Sequence, residues 1–160
     1  MKSLKFMHFI FILSAVIVLF LDQLTKYWIK ATIPVSSSME VIPRFLYITH
    51  VRNPGAAFGL FQDGTTILAI ISFVAVFLIV FIKFLLRIKS YFFNISLGLI
   101  MGGALGNLID RLVLGEVTDF IHFLYWPVFN IADSSIVIGF GIAILLLFKE
   151  FFKKNSKMIN

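Results

Sequence analysis

Four apolar runs dominate this chain, and each is close to the length that crosses a bilayer. The hydrocarbon core takes about 20 helical residues to span. The runs extend over roughly 9–28, 66–86, 91–113 and 130–149. The fourth is the odd one, because its purely apolar part, 136–148, has only 13 residues. Reaching spanning length means counting back through FNIADSSI, so Asn130 and Asp133 fall at the head of the helix. A carboxylate in that position needs a reason.

Of the 160 residues, 60% are hydrophobic and 14% charged, with a mean hydropathy of +1.02. A soluble domain of this size cannot bury so much apolar surface, so lipid is the expected solvent. The chain reads as a single integral membrane domain over 1–160, with no repeats. With no cysteine, disulfides, thiolate metal sites and a cysteine nucleophile are excluded. The start, MKSLKFMHFIFILSAV, mimics a signal peptide but continues into LDQLTKYW without a small-residue cleavage site, so a retained helix is expected.

The net charge of +6 is a topology signal, because no basic stripe with interleaved aromatics points to nucleic acid. Four spans put both termini on one side, with Lys2, Lys5, Lys83, Arg87, Lys89, Lys149, Lys153, Lys154 and Lys157 against the single acid Glu150. The other side holds Lys26, Lys30, Arg44, Arg52 and Arg111 together with the remaining acids: Asp22, Glu40, Asp63, Asp110, Glu116, Asp119 and Asp133. The basic side is expected to be cytoplasmic. Any chemistry of carboxylates then faces outward.

Between the first two spans, 31–64 is interrupted by Pro34, Pro43 and Pro54 and is expected to be non-helical. FLYITHVRN (45–53) alternates like a strand, and NPGAAFG supplies a turn, so a small outer β region is expected. The aromatic-rich linker 114–127 reads as a short interfacial helix or loop between the third and fourth spans.

Three polar constellations sit in or beside the spans. Asp22 and Lys26 of LDQLTK are spaced i, i+4 and can pair on one helix face. Asn107, Asp110 and Arg111 of GNLIDR share a face of the third span, and Asn130 and Asp133 open the fourth. Interhelical glue is the plainest explanation. Yet an ionised Asp at mid-helix costs about 2.5–3.5 kcal/mol, and an interhelical hydrogen bond in a bilayer returns about 0.6 kcal/mol. A structural role alone therefore demands very good pairing.

Asp119 of TDF and Asp133 lie on either side of Pro127, which can turn the chain so that both reach the outer lip. Two close carboxylates in low dielectric hold one proton between them. The ionised one can activate water while the protonated one polarises a carbonyl, which is metal-free aspartic peptide hydrolysis. From spacing alone, any two Asp residues could be so paired. His8, His50 and His122 lack metal-ligand spacing. Ser134 and Ser135 have no evident base and suit helix capping. A proton-coupled transporter would want titratable groups through the depth of the bilayer and paired repeats, and a scaffold would tolerate Asn at Asp119 or Asp133.

LDQLTK, VRNPGAAFG, GGALGNLIDR, GEVTDF and FNIADSSI, in this order and at these membrane positions, resemble the lipoprotein signal peptidase (signal peptidase II) family of bacteria. The resemblance covers nearly the whole chain. It implies a four-helix aspartic endopeptidase of the cytoplasmic (inner) membrane, with its site at the outer face. The implied reaction removes signal peptides from prolipoproteins by cleavage before a diacylglyceryl-modified cysteine. Carried over by position, Asp119 and Asp133 are the catalytic pair. Asn53, Gly55, Asn107, Arg111 and Asn130 match positions that line the substrate pocket or orient the pair. Asp22 and Lys26 match supporting positions, and Asp110 is expected to support Arg111. No metal or other cofactor is implied; the expected partners are lipid-modified prolipoproteins and membrane lipid, no nucleic acid, and the chain is expected to act as a monomer. The stretch between Asp119 and Asp133 is several residues shorter than is usual in the family, which bears on the outer flap and substrate fit rather than on the chemistry.

Overall fold

The computed structural model describes residues 3–55, 64–86 and 89–159. Helix α1 (Leu4–Thr32) starts behind Ser3, whose hydroxyl accepts the Phe6 N–H at 3.2 Å. It stops at Ile33, which is extended because Pro34 excludes the helical region from the residue before it. Strands β1 (Ser38–Ile42) and β2 (Leu46–Asn53) follow, then α2 (Thr65–Leu86), α3 (Tyr91–Leu114), β3 (Val117–Phe123) and α4 (Ile131–Ile159). All four helices are long and apolar enough to cross a membrane. The turn expected in NPGAAFG is described as far as Gly55; 56–63 lie outside the described residues.

Helix α3 is the centre, packed by α1, α2 and α4. Its glycines let it be so. At Gly102 an added Cβ would lie 2.5 Å from the Ala15 carbonyl oxygen and 2.7 Å from Val18 Cβ, both on α1. Gly98 and Gly106, four residues to either side, touch Ser14 and the Asp22 carboxylate in the same way. Small residues at this spacing bring backbones together, which is where helix association in lipid finds its dispersion energy. The opposite faces carry Phe20, Phe73, Phe77 and Leu145, all largely exposed and suited to acyl chains.

The three strands form one antiparallel sheet in the order β1-β2-β3, at the end of the bundle where α1 and α3 finish and α2 and α4 begin. The linker expected as an interfacial helix or loop is, over Val117–Phe123, a strand. Two causes are visible. Gly115 adopts the left-handed conformation (φ 75°) that closes α3 and turns the chain back. The open edge of β2 then offers backbone partners that a free linker lacks.

The β2–β3 register shifts between Ile48 and Val51, a bulge that sets Val51 opposite Asp119 and Asn53 opposite Val117. Asn53 and Asp119 thereby become diagonal neighbours on one face. Beyond β3 the chain turns at Trp126, whose N–H reaches the Phe123 carbonyl at 2.9 Å. It returns at Phe129, which exchanges backbone hydrogen bonds of 3.0 and 2.7 Å with Ile121. Asn130 is thus delivered beside Asp119.

Gly102→Ala should lower stability by about 1–3 kcal/mol through overpacking. Gly141→Ala, where an added Cβ meets nothing within 4 Å, should leave it nearly unchanged. Thermal unfolding of both variants in one detergent checks the contrast.

Candidate active site

Helix α4 begins with a reciprocal cap. Asn130 Oδ1 accepts the Asp133 N–H at 2.9 Å, and Asp133 Oδ2 accepts the Asn130 N–H at 3.2 Å, which is the arrangement of a capping box. A second N–H of the same turn, that of Ala132, is met by Asp22 Oδ1 of α1 at 2.9 Å. The polar residues at the head of the fourth span therefore satisfy orphan helix donors that lipid cannot. Ser134 and Ser135, expected as caps, instead donate back to the carbonyls of Asn130 and Ile131.

Behind this cap lies a charged knot with no exposure. Lys26 Nζ donates to Asp22 Oδ2 at 2.8 Å, Asp110 Oδ2 at 3.1 Å and Asn107 Oδ1 at 3.0 Å. An ammonium has three protons, and here each has an acceptor. The i, i+4 pairing of Asp22 with Lys26 forms as the spacing suggests. Among the described residues Asp110 makes no hydrogen bond or ion pair with Arg111, and acts on it only through its charge. It binds Lys26, the Thr118 N–H at 3.2 Å and Gln23, because that side of α3 faces α1 and the start of β3. Gln23 escaped the sequence reading, although it stands inside LDQLTK. Its amide bridges Asp22, Asp110 and the Gly106 carbonyl, each at 3.2 Å.

From the knot, amides lead to two carboxylates. Asn107 Nδ2 donates to Asp133 Oδ1 at 2.8 Å, and Asn130 Nδ2 donates to Asn107 Oδ1 at 3.1 Å and to Asp119 Oδ1 at 2.7 Å. Asn53 Nδ2 donates to Asp119 Oδ2 at 2.8 Å, while its own Oδ1 accepts the Gly55 N–H at 3.0 Å. Asp119 is 3% exposed. Burial, reinforced by the charge of Asp133, pushes its carboxyl up to about 7, against the pull of the Asn53 and Asn130 hydrogen bonds and the Lys26 charge.

Asp119 and Asp133 both face a cavity of about 510 Å³, whose wall also includes Asn53, Gly55, Asn107 and Arg111. Arg111 donates one weak bond, 3.4 Å to the Asn107 carbonyl, and its buried Nε has no partner among the described residues. Trp126 and Phe129 line the cavity on one side, Val137 and Ile138 of α4 on another. Sequence reasoning did not single these out, since apolar residues in a membrane chain carry no signal of their own. His50 and His122 lie elsewhere in the sheet: His50 on the Ile33 carbonyl, His122 on Thr49. Among the described residues no group of three or more acidic or imidazole side chains could hold a metal ion.

A cavity between α3, α4 and the sheet, with two amide-linked carboxylates on its wall, in a chain with four helices able to cross a membrane, defines a membrane protein with a candidate acid–base site. Comparison with known proteins says which. The family model for signal peptidase (SPase) II matches residues 14–149. Lipoprotein signal peptidases of Staphylococcus aureus strains JH9 and Newman are each 44% identical over 154 residues, covering 92% of this chain and 93% of theirs. A solved bacterial membrane enzyme, determined by the in meso method at 2.3 Å, superposes with a TM-score of 0.81 at 42% identity and 90% coverage of both chains. A second, at 1.9 Å, gives a TM-score of 0.75 at 43% identity, covering 86% of this chain and 91% of its own. The chain belongs to the signal peptidase II family, aspartic peptidases that remove signal peptides from prolipoproteins.

The knot and the surface make opposite predictions. Asp22→Ala leaves a buried ammonium and the Ala132 N–H short of a partner and should cost about 3–5 kcal/mol. Arg52→Ala breaks a 3.2 Å pair with Glu116 in which Arg52 is 60% exposed, and should cost less than about 1 kcal/mol. Unfolding midpoints in detergent test both.

Proposed function

We propose that this chain cuts immediately before a diacylglyceryl-modified cysteine, with Asp119 and Asp133 as the catalytic pair. The observation that carries the reading is the shared cavity: both carboxylates face it, and Asn130 bonds to both of them. Two carboxyls so placed hold one proton. Asp119, the one burial pushes up, holds it, and Asp133 takes a proton from the attacking water. The Asp119 proton meets the scissile carbonyl oxygen as charge develops there, and Asp133 later returns its proton to the leaving amine. No covalent intermediate forms.

The cavity's makeup supports a lipid-bearing peptide substrate. Asn53, Gly55, Asn107 and Arg111 supply the polar side, where carbonyls of an extended peptide find donors, and the buried Asn130 orients the pair behind them. Val137, 70% exposed, and Ile138 form an apolar wall that continues onto the lipid-facing side of α4. A signal helix and acyl chains can arrive laterally along it while water reaches the carboxylates from the sheet side. We place that sheet and the cavity at the outer face of the bacterial cytoplasmic membrane, with both termini inside, because the lysine-rich ends of the spans oppose it. The chain then works as a single membrane unit and a monomer, with bilayer lipid as its solvent.

Cleavage of a prolipoprotein with and without its diacylglyceryl group tests the reading. Only the lipidated form should be cut, and Asp119→Asn or Asp133→Asn should abolish cutting in protein that still folds; activity surviving in either variant would remove that residue from the pair. The pH profile gives a second check. Asp119 is protonated below about 7 and loses its proton above it, so kcat/KM should fall up to about tenfold per pH unit on the alkaline side. A flat profile between pH 7 and 9 would contradict the assignment of the proton.

A further inference from the structure

Each amide that touches the carboxyl pair has its orientation set by a group that can only donate. Asn53 Oδ1 accepts the Gly55 N–H, and Asn130 Oδ1 accepts the Asp133 N–H. Asn107 Oδ1 accepts the Lys26 ammonium at 3.0 Å and one hydrogen of Asn130 Nδ2 at 3.1 Å. An amide whose oxygen end is held this way must present its NH₂ at the other end. Those NH₂ groups, with the Asn130 N–H, are what reach Asp119 and Asp133. All four carboxylate oxygens thus receive hydrogen bonds from the protein, and none of these amides offers an acceptor to a carboxyl proton. The proton shared by the pair must point into the cavity, where substrate and water are.

Two of the three orientation locks are backbone N–H groups, fixed by the fold. The third is a side chain on another helix. We propose that Lys26 is a positioning residue for peptide cleavage, which through Asn107 keeps that amide's NH₂ on Asp133 and its oxygen on Asn130. Asp22 and Asp110 serve it by neutralising the ammonium and fixing its direction with the remaining two hydrogen bonds. Without Lys26, Asn107 is held by Asn130 alone. A flipped Asn107 turns its oxygen toward Asp133, accepts a hydrogen bond from the carboxyl proton the reaction needs, and leaves Asn130 Nδ2 without its second acceptor. The proposal rests on the assignment of Asp119 and Asp133 as the catalytic pair.

The charged groups that face Asp119 are Asp133 on α4, Lys26 on α1 and Arg111 on α3; Arg52 on β2 is turned outward to Glu116. Both the Lys26 charge and the Asn130 hydrogen bond favour the ionised Asp119. Removal of Lys26 therefore moves the alkaline limb of the rate profile to higher pH.

The experiment is a double-mutant cycle of Lys26→Met and Asn107→Ala, read as kcat on lipidated prolipoprotein in detergent micelles. If Lys26→Met does not fold, Lys26→Met with Asp22→Asn and Asp110→Asn removes the stranded charges and takes its place. The expected result is a loss of kcat of about tenfold or more for the Lys26 variant, an alkaline limb at higher pH, and a double variant no slower than Asn107→Ala alone. Losses that multiply in the double variant, or a folded Lys26 variant with wild-type kcat and pH profile, would overturn the proposal. Asp119→Asn and Asp133→Asn run alongside. If either stays active the catalytic pair itself is wrong, whereas inactive Asp variants beside an unaffected Lys26 variant reject the positioning role alone.

Discussion

A single ammonium group, dehydrated and shared between two helices, holds the polar heart of this protein together. Lys26 Nζ on α1 reaches Asp22 one turn back and Asp110 and Asn107 on α3. Through Asp22 it extends to the first turn of α4, and through Asp110 to the first residues of β3. Taking ions out of water costs several kcal/mol each even after relaxation, and is offset only where every remaining lone pair and proton is met. Here Gln23, the Thr118 N–H and the Ala132 N–H meet them. The arrangement exists in one geometry or not at all, which makes it a register device for three helices and a strand.

The carboxyl pair inherits its position from that device. Asp133 stands three residues into α4, where Asn130 caps the helix, and α4 is docked on Asp22. Asp119 arrives from the other side of a short loop, carried on a strand whose pairing with β2 fixes its depth. Close glycine contacts between α1 and α3 bring the helices near enough for Lys26 to span the gap. The site is thus assembled from parts of α1, α3 and α4 and a sheet, with no one segment sufficient for it.

Much of this was legible in the chain. The four helices followed from apolar runs, and LDQLTK, GNLIDR and FNIAD marked where polarity breaks into lipid, because such residues are costly there without partners. The strand at 46–53 showed through its alternation. What misled were segments whose structure depends on something distant. The 117–123 strand has aromatic residues that suit an interface equally well, and only the open edge of β2 makes it a strand. Asp110 shares a face of α3 with Asn107 and Arg111, but consecutive helical residues point about 100° apart, and the Asp110 carboxylate turns to Lys26 on α1. Gln23 had no charge to draw the eye, though three acceptors converge on it.

By itself the sequence determined that this chain lives in lipid, that it crosses it four times, and which residues pay a penalty for being there. It also carried, in five ordered motifs, the mark of its family. Tertiary structure alone decided who partners whom: that Lys26 is shared by Asp22, Asp110 and Asn107, that β3 joins β2, and that Asn130 links Asp119 to Asp133. The physical reason is one of range. Hydropathy and helix periodicity are properties of neighbouring residues, whereas a buried hydrogen bond is worth making only when a partner tens of residues away is delivered to within about 3 Å in the right orientation.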